Sequence, residues 1–320
     1  MNHVKALNDS TGQTIQETVG PTLDIFTPYL VKNKDAIFAI TQQEEHYGPH
    51  AQQKLGIYRP PQTMHNSPVL VFLNGGEFLG GDKTSANGLL YHNVGSFFAR
   101  KGIITVIPGY RHTSASPGEE ATFPSGGEDV SLVLKWLESF DHKGSANVFI
   151  MGSSTGGVHL SSFILGPQFL EQRRALASGK SGIVFKGAIE LGVPFHFKST
   201  TEVDHATALK SYYGSQEDVE RKCPLGLLEA VRETGMSRED TAVPKVLLLL
   251  GEFDSEAEIA QPMHDFAALR TNTWGNGVEF KVIKGHNHIS PLLALMSGDV
   301  EGERWGEEVV EWIQLLNQQP

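Results

Sequence analysis

An apolar segment that runs into a glycine-framed serine constrains this chain more than any other feature. Residues 147–158 read Asn-Val-Phe-Ile-Met-Gly-Ser-Ser-Thr-Gly-Gly-Val, with Ser154 at the centre of a Gly-x-Ser-x-Gly pattern. A strand followed by this pattern is typical of a sharp strand-to-helix turn, which lifts one hydroxyl above the end of a sheet. We therefore expect Ser154 to attack a carbonyl carbon. The backbone N–H of the next residue, Thr155, is expected to bind the resulting oxyanion.

Strand and helix patterns alternate along the rest of the chain. Short apolar runs predict strands at 36–40, 54–58, 69–73, 103–107, 148–151, 187–190, 246–250 and 280–283. Helical spacing of apolar residues is found at 127–140, 154–165, 257–270 and 305–316. Several strands are apolar throughout, as expected when helices cover both faces of a sheet. The alternation predicts an α/β fold with a mostly parallel, doubly wound sheet of about eight strands.

Two segments do not fit this alternation. Residues 1–35 precede the first predicted strand, and residues 196–243 carry charged, interrupted helical patterns between two strands. Insertions above the catalytic edge of such a sheet usually form a lid. We therefore expect one domain spanning residues 1–320, with a helical cap built from these two segments.

Composition excludes several classes of function. The 320 residues carry a formal net charge of -11, which argues against binding nucleic-acid phosphates. The polar residues 1–20 predict no signal peptide, and the longest apolar run, 246–250, is too short to span a membrane. Because Cys223 is the only cysteine, no internal disulfide can form, and we expect an inert thiol there. These features predict a cytoplasmic protein with neither membrane nor nucleic acid as partner.

A serine hydroxyl needs a base to take its proton and an acid to orient that base. In folds with this serine turn the acid follows the serine along the chain, and the histidine comes last. Asp254 lies just beyond the predicted strand 246–250 and is the favoured acid, with Glu252 and Glu256 as alternatives. A helix N-cap is the competing structural role for Asp254.

The base is sought after the last predicted strand, where the chain reads Gly-His-Asn-His-Ile-Ser. His288 stands immediately before the apolar helical segment 291–296 and is favoured over His286. A metal site at these two histidines would need a third ligand, and no motif supplies one nearby. We therefore predict no metal ion and no organic cofactor.

A glycine-rich loop follows the predicted strand 69–73. It begins Asn74-Gly75-Gly76, and glycines let backbone N–H groups approach a ligand closely because they carry no Cβ. Gly75 and Gly76, together with Thr155, are therefore the predicted oxyanion donors. One such donor contributes on the order of 10²- to 10³-fold to turnover.

Together these motifs make the chain similar to the α/β-hydrolase superfamily over roughly residues 45–316. Within it, the chain resembles the branch of hormone-sensitive-lipase-like carboxylesterases and kynurenine-formamidase-like enzymes. The residues that carry the resemblance are Tyr47-Gly48-Pro49, Leu55 to Pro60, Asn74-Gly75-Gly76, Gly109-Tyr110-Arg111, Asp129, Trp136, Gly152 to Gly156, Asp254 and His288. The resemblance implies a nucleophile, a base, an orienting acid and three oxyanion donors, namely Ser154, His288, Asp254, Gly75, Gly76 and Thr155. It implies structural roles for Tyr110, Arg111 and Asp129.

The chain departs from the family pattern at two positions. Asn74 stands where the family usually has histidine, and we expect it to hydrogen-bond the loop in the same way. Glu77 replaces the usual glycine or aromatic residue. As a hypothesis, its carboxylate either recognises a cationic or hydroxylated group of the substrate or points to solvent.

These features predict a serine hydrolase that cleaves a small carboxylic ester, or an aryl or N-formyl amide, through an acyl-enzyme. An acyltransferase or a lactonase would use the same triad. A non-enzymatic small-molecule receptor would show a damaged triad, and the sequence shows none. We expect a monomer or a homodimer, with an exposed edge strand near residues 280–283 as the pairing surface.

Overall fold

The computed structural model describes residues 1–10, 14–62, 66–76, 78, 85–113, 120–140, 147–199, 203–275 and 278–319. This part of the chain contains one sheet of eight strands. Numbered in chain order, the strands are β1 Gln42–His46, β2 Lys54–Tyr58, β3 Val69–Leu73, β4 Ile104–Pro108, β5 Asn147–Ser153, β6 Val184–Leu191, β7 Lys245–Gly251 and β8 Glu279–Ile283.

The helices surround this sheet. In chain order they are α1 Asn2–Ser10, α2 Ile15–Lys32, α3 Lys34–Phe38, α4 His92–Arg100, α5 Ser125–Glu138, α6 Thr155–Leu165, α7 Leu170–Ala177, α8 Val203–Tyr213, α9 Gln216–Lys222, α10 Pro224–Thr234, α11 Arg238–Thr241, α12 Gln261–Trp274, α13 Ser290–Ala294 and α14 Val300–Asn317. A turn with left-handed backbone at Ala86 and Asn87 occupies Ser85–Gly88, a short 3₁₀ turn occurs at Pro167–Phe169, and a π-helical turn at Glu256–Ala260 precedes α12. The four helical segments predicted from spacing correspond to α5, α6, α14 and the π turn with α12.

The order of strands places the switch of winding direction at the centre of the sheet. The order is β1-β2-β4-β3-β5-β6-β7-β8. β1 pairs antiparallel with β2, and β2 pairs antiparallel with β4, whereas the strands β3 to β8 are all parallel to one another. The mostly parallel, doubly wound sheet is therefore confirmed. From β3 the chain moves outward to β4 and then returns to β5 on the other side. Crevices for ligands form at such a switch point, outside the carboxyl ends of the strands.

One predicted strand is wrong. Residues 36–38 lie in α3 instead of in a strand, and the first strand is the polar segment Gln42–His46. Within the apolar run, Ile37 and Ile40 are buried whereas Phe38 is half exposed. Ile37 lies in α3 and Ile40 just beyond its end, and an apolar run this short does not distinguish a helix from a strand.

Both faces of the sheet are covered, as the apolar strands require. Val69 and Val71 belong to a hydrophobic cluster shared with α5 and α6, whereas Leu70 and Phe72 belong to a second cluster shared with α4 and α14. Alternate side chains of one strand thus enter opposite cores.

The two segments that did not fit the alternation are helical where the structure describes them. α2 packs against α13 and the Ser85–Gly88 turn, and α10 packs against α6 and α12. Their role as a cap stays a prediction. None of the helices in the described ranges has the length and apolar content that crossing a membrane would need.

Candidate active site

Ser154 occupies a strained turn between β5 and α6. Its backbone has φ 52° and ψ −124°, and positive φ is uncommon for a residue with a side chain. The Ser154 N–H donates to the carbonyl of Leu191 at the end of β6, at 2.9 Å. Because β5 and β6 are paired up to this point, the sheet itself holds the turn. Strained backbone of this kind is found where the surrounding structure fixes a functional side chain.

The two glycines that frame the serine are required by close packing. A Cβ on Gly152 would lie 2.5 Å from Cα of Gly157. A Cβ on Gly156 would lie 2.2 Å from the carbonyl oxygen of Leu73, at the end of β3. The glycines therefore allow α6 to start directly against the ends of β3 and β5.

The structure brings His288 and Asp254 together with this serine. Nε2 of His288 lies 3.0 Å from Oγ of Ser154, and Nδ1 lies 2.9 Å from Oδ1 of Asp254. The second carboxylate oxygen of Asp254 accepts the backbone N–H of Gly251 at 2.7 Å. The side chains of His288 and Asp254 are 6% and 2% exposed, so water competes little for these bonds. This geometry allows an imidazole to take the hydroxyl proton while a carboxylate orients its ring.

The alternative acid and base do not contact Ser154. Glu252 accepts from Lys284 Nζ at 3.0 Å and from the N–H of Gly285 at 2.7 Å, and these bonds hold its pKa below the ordinary value. His286 shares a 2.9 Å hydrogen bond with the hydroxyl of Ser290, and burial lowers its pKa to about 4. Glu256 is exposed at the start of the π turn.

The glycine loop after β3 lies against the serine. A Cβ on Gly75 would be 3.0 Å from Cβ of Ser154. The hydroxyl of Tyr110 donates to the carbonyl of Asn74 at 2.7 Å, and the Asn74 side-chain amide donates to the carbonyl of Gly75 at 2.9 Å. In a planar trans peptide the N–H points opposite to the C=O. These two bonds therefore fix the directions of the Gly75 and Gly76 N–H groups, away from Tyr110 and the asparagine amide.

Thr155 is the first residue of α6, so its N–H belongs to the first turn of the helix and has no acceptor within it. The positive end of the helix dipole lies at the same place and favours a developing negative charge. Glu77, the residue predicted to contact substrate or solvent, lies outside the described residues.

Polar contacts fix the segment that follows β4. Asp129 accepts from the backbone N–H and Nε of Arg111, both at 2.9 Å, and from Gln53 Nε2 at 2.7 Å. The resemblance implied a structural role for Tyr110 but gave no indication of its direct bond to the glycine loop. The sequence also gave no indication that Gly192 lies beside His288. At φ 56°, this glycine lies so close to His288 that a Cβ would be 3.2 Å from Nδ1.

Two other buried titratable groups have their partners outside the proposed triad. Glu190 is fully buried at the end of β6, where Ser161 Oγ donates to it at 3.0 Å, and burial raises its pKa well above the usual range. Burial also raises the pKa of the Cys223 thiol to about 11. Within the ranges described above, no group of three or more His, Cys, Asp or Glu side chains is arranged to hold a metal ion.

Solved structures of similar shape are esterases. Esterase B from Lactobacillus rhamnosis superposes with a TM-score of 0.63 and 16% identity, covering 100% of this chain and 98% of that one. A fungal esterase from Rhizomucor miehei superposes with a TM-score of 0.65 and 18% identity, covering 99% and 96%. The chain has the α/β-hydrolase fold. The fold that the sequence motifs indicated is thereby confirmed.

The sequence comparisons cover part of the chain. The BD-FAE family model matches residues 55–190. A protein named probable isoprenylcysteine alpha-carbonyl methylesterase, from Arabidopsis thaliana, is 30% identical over 129 residues, which is 40% of this chain. The match spans only 28% of the length of the plant protein. The BD-FAE match contains the glycine loop and the serine turn but ends before Asp254 and His288.

Proposed function

We propose that this α/β-hydrolase is a serine carboxylesterase that cleaves small carboxylic esters. The observation that carries the proposal is the continuous hydrogen-bonded chain from Ser154 through His288 to Asp254, with distances of 3.0 and 2.9 Å. The position of these three hydrogen-bonded residues supports the proposal further, because the serine stands on a strained turn at the switch point of the sheet. The relatives are also named as esterases.

In the proposed mechanism, His288 Nε2 takes the proton of Ser154 as Oγ attacks the ester carbonyl carbon. Asp254 stabilises the imidazolium, and the tetrahedral oxyanion accepts hydrogen bonds from the N–H groups of Gly75, Gly76 and Thr155. The imidazolium then gives its proton to the leaving alkoxide, and the C–O bond to the alcohol breaks. Water, deprotonated by His288, attacks the acyl-enzyme, and collapse of the second intermediate returns the proton to Oγ and releases the acid.

The acyl-enzyme mechanism does not by itself select esters as substrates. Aryl or N-formyl amides would pass through the same intermediate, and so would lactones. An acceptor alcohol or amine in place of water would make the protein an acyltransferase. The relatives' names favour ester hydrolysis, and we place it first for that reason.

A fluorophosphonate probe tests the proposed nucleophile directly, with Ser153 as a matched control. Ser153 is the neighbouring, buried serine in the same turn. We expect Ser154→Ala to lose the label and at least about 10³-fold in p-nitrophenyl acetate turnover, and Ser153→Ala to keep both. A label that persists in Ser154→Ala, or a wild-type protein that takes none, would reject the proposal.

A substrate panel then separates the related reactions. p-Nitrophenyl esters of rising chain length, N-formylkynurenine and aryl lactones are compared by kcat/KM on wild-type protein. We expect short-chain esters to be cleaved fastest. Faster turnover of the formamide or of the lactones would move the assignment to an amidase or a lactonase while leaving the nucleophile unchanged.

A further inference from the structure

Helix α2 is connected to the turn that carries His288 through a buried polar network. The side-chain amide of Asn287 donates to Oγ1 of Thr22 at 2.8 Å, and that hydroxyl donates to the carbonyl of Thr18 at 2.6 Å. The amide oxygen of Asn287 accepts the N–H of Ser290 at 3.1 Å. Thr22, Asn287 and Ser290 are all buried, so each group depends on its partner in the network.

The same helix is tied to the segments on either side of this turn. The backbone N–H of Ile15, at the start of α2, donates to Glu258 at 3.0 Å, in the π turn that follows Asp254. Past the other end of the helix, the amide of Asn33 donates to the carbonyl of Met296 at 3.0 Å, beyond α13. α2 thus runs from the segment after the acid to the segment after the base.

Apolar contacts join the same elements. Phe26 and Leu30 of α2 form a hydrophobic cluster with Leu293 of α13. Phe253 and Ile289, each adjacent in sequence to a triad residue, pack against this cluster. Polar and apolar contacts therefore hold the same turn in place, and Thr22 is the side chain of α2 that bonds directly to it.

We propose that Thr22 is a positioning residue, which holds His288 in line with Ser154 through Asn287. The inference rests on the proposed function. Asn287 precedes His288 directly, so a shift of the Asn287 backbone moves the imidazole with it. Proton transfer depends steeply on such shifts, because a displacement of about 1 Å can cost roughly 10²-fold in rate.

Two threonines one turn apart on α2 provide the test. Valine has the shape of threonine but no hydroxyl, so Thr22→Val leaves the Asn287 amide without its acceptor. Thr18→Val is the matched control, because the hydroxyl of Thr18 bonds to the carbonyls of Thr14 and Ile15, at the start of the same helix, and not to Asn287. The readouts are kcat and KM for p-nitrophenyl acetate and the rate of fluorophosphonate labelling, measured well below the unfolding temperature.

We expect Thr22→Val to lower kcat and the labelling rate about tenfold or more, with KM within about twofold of wild type. Thr22→Ser, which keeps the hydroxyl, should restore both rates, and Thr18→Val should match wild type. If the role of Thr22 were merely structural, Thr22→Val would lower the stability of the protein without slowing the folded enzyme.

Equal rates for the Thr22→Val and Thr18→Val variants would overturn the positioning role. The proposed function would still stand if the label remained on Ser154, so the two failures are distinguishable. If circular dichroism shows that the Thr22→Val variant does not fold, Thr22→Ala and Thr18→Ala provide the same comparison with a smaller side chain. Equal rates in that pair would equally reject the role.

Discussion

Two carboxylates, two residues apart in the loop after β7, have different surroundings and should respond differently to the same change. Asp254 is buried against His288, whereas Glu252 pairs with Lys284 at the surface. Replacing Asp254 with asparagine keeps the shape but removes the charge that stabilises the imidazolium and selects its tautomer. We expect Asp254→Asn to lower kcat for p-nitrophenyl acetate by about 10³- to 10⁴-fold.

The matched control is Glu252→Gln, which makes the same chemical change on the exposed carboxylate. Its kcat should stay within about twofold of wild type, because surface ion pairs contribute little and this one lies outside the serine–histidine contact. Steady-state kinetics of the two variants decides between the carboxylates. If both variants lost activity equally, the assignment of Asp254 as the orienting acid would be wrong.

At the scale of single residues, the sequence was sufficient to predict those site residues that belong to a local motif. Ser154, Asp254 and His288 each follow a strand whose apolar run is visible in the sequence, and the structure places them in contact. Partners contributed by distant segments had no such signal. The bond that Asn287 donates to Thr22 joins residues 265 positions apart, and nothing local in either segment indicates it.

The turn between β5 and α6 depends on glycine for steric reasons, and this gives a prediction at the scale of elements. In Gly156→Ala the new methyl would meet the Leu73 carbonyl at 2.2 Å, so β3 and α6 would have to move apart. We expect the free energy of unfolding, measured in urea, to fall by more than about 3 kcal/mol, and esterase activity to be lost.

Gly20→Ala is the control for adding a methyl group to a helical glycine. Gly20 is exposed within α2 and has no atom near the position of a new Cβ. Alanine is the better helix former, but the ring of Pro21 disfavours helical backbone at a preceding residue that carries a Cβ, so this variant should change the free energy of unfolding by less than about 1 kcal/mol. Near-wild-type stability in Gly156→Ala would show that the close packing of the turn can relax.

Elements were predictable from sequence where burial leaves a pattern. The strands β3, β5 and β7 are buried along most of their length and appear as apolar runs. Strand β1 has the sequence Gln-Gln-Glu-Glu-His and is largely exposed at the edge of the sheet, so no apolar pattern marks it. Its position is set by pairing with β2, and no local pattern in the sequence indicates such a tertiary contact.

At the scale of the whole molecule, topology explains how distant motifs meet. The glycine loop, serine turn, acid and base follow β3, β5, β7 and β8, and these strands are parallel. Parallel strands end at one edge, so the four motifs necessarily share it. The fold class was predictable for this reason. The positions of α2 and α8–α11 were not, because they depend on contacts between segments without a shared pattern.

Stability of the whole molecule should fall as the pH falls, because of buried histidines. His159 lies in α6 with Nδ1 3.4 Å from the Tyr212 hydroxyl, and burial lowers its pKa from 6.5 to about 3. His286, whose pKa is about 4, acts in the same direction. A pKa depressed by folding means that the unfolded chain binds more protons. The stabilising contribution is therefore complete above pH 6.5 and declines as the pH falls towards 3.

For His159 alone, the decline between pH 6.5 and 5 amounts to at most about 2 kcal/mol of unfolding free energy, since one pH unit contributes about 1.4 kcal/mol per proton.

His159→Asn cannot take up that proton. Although it should be less stable at every pH, its free energy of unfolding should vary less between pH 5 and 7. His46→Asn, at an exposed histidine of β1, should keep the wild-type pH dependence. Urea unfolding at pH 5, 6 and 7 measures all three proteins, and parallel curves for wild type and His159→Asn would show that His159 binds its proton equally well in the folded and unfolded chain.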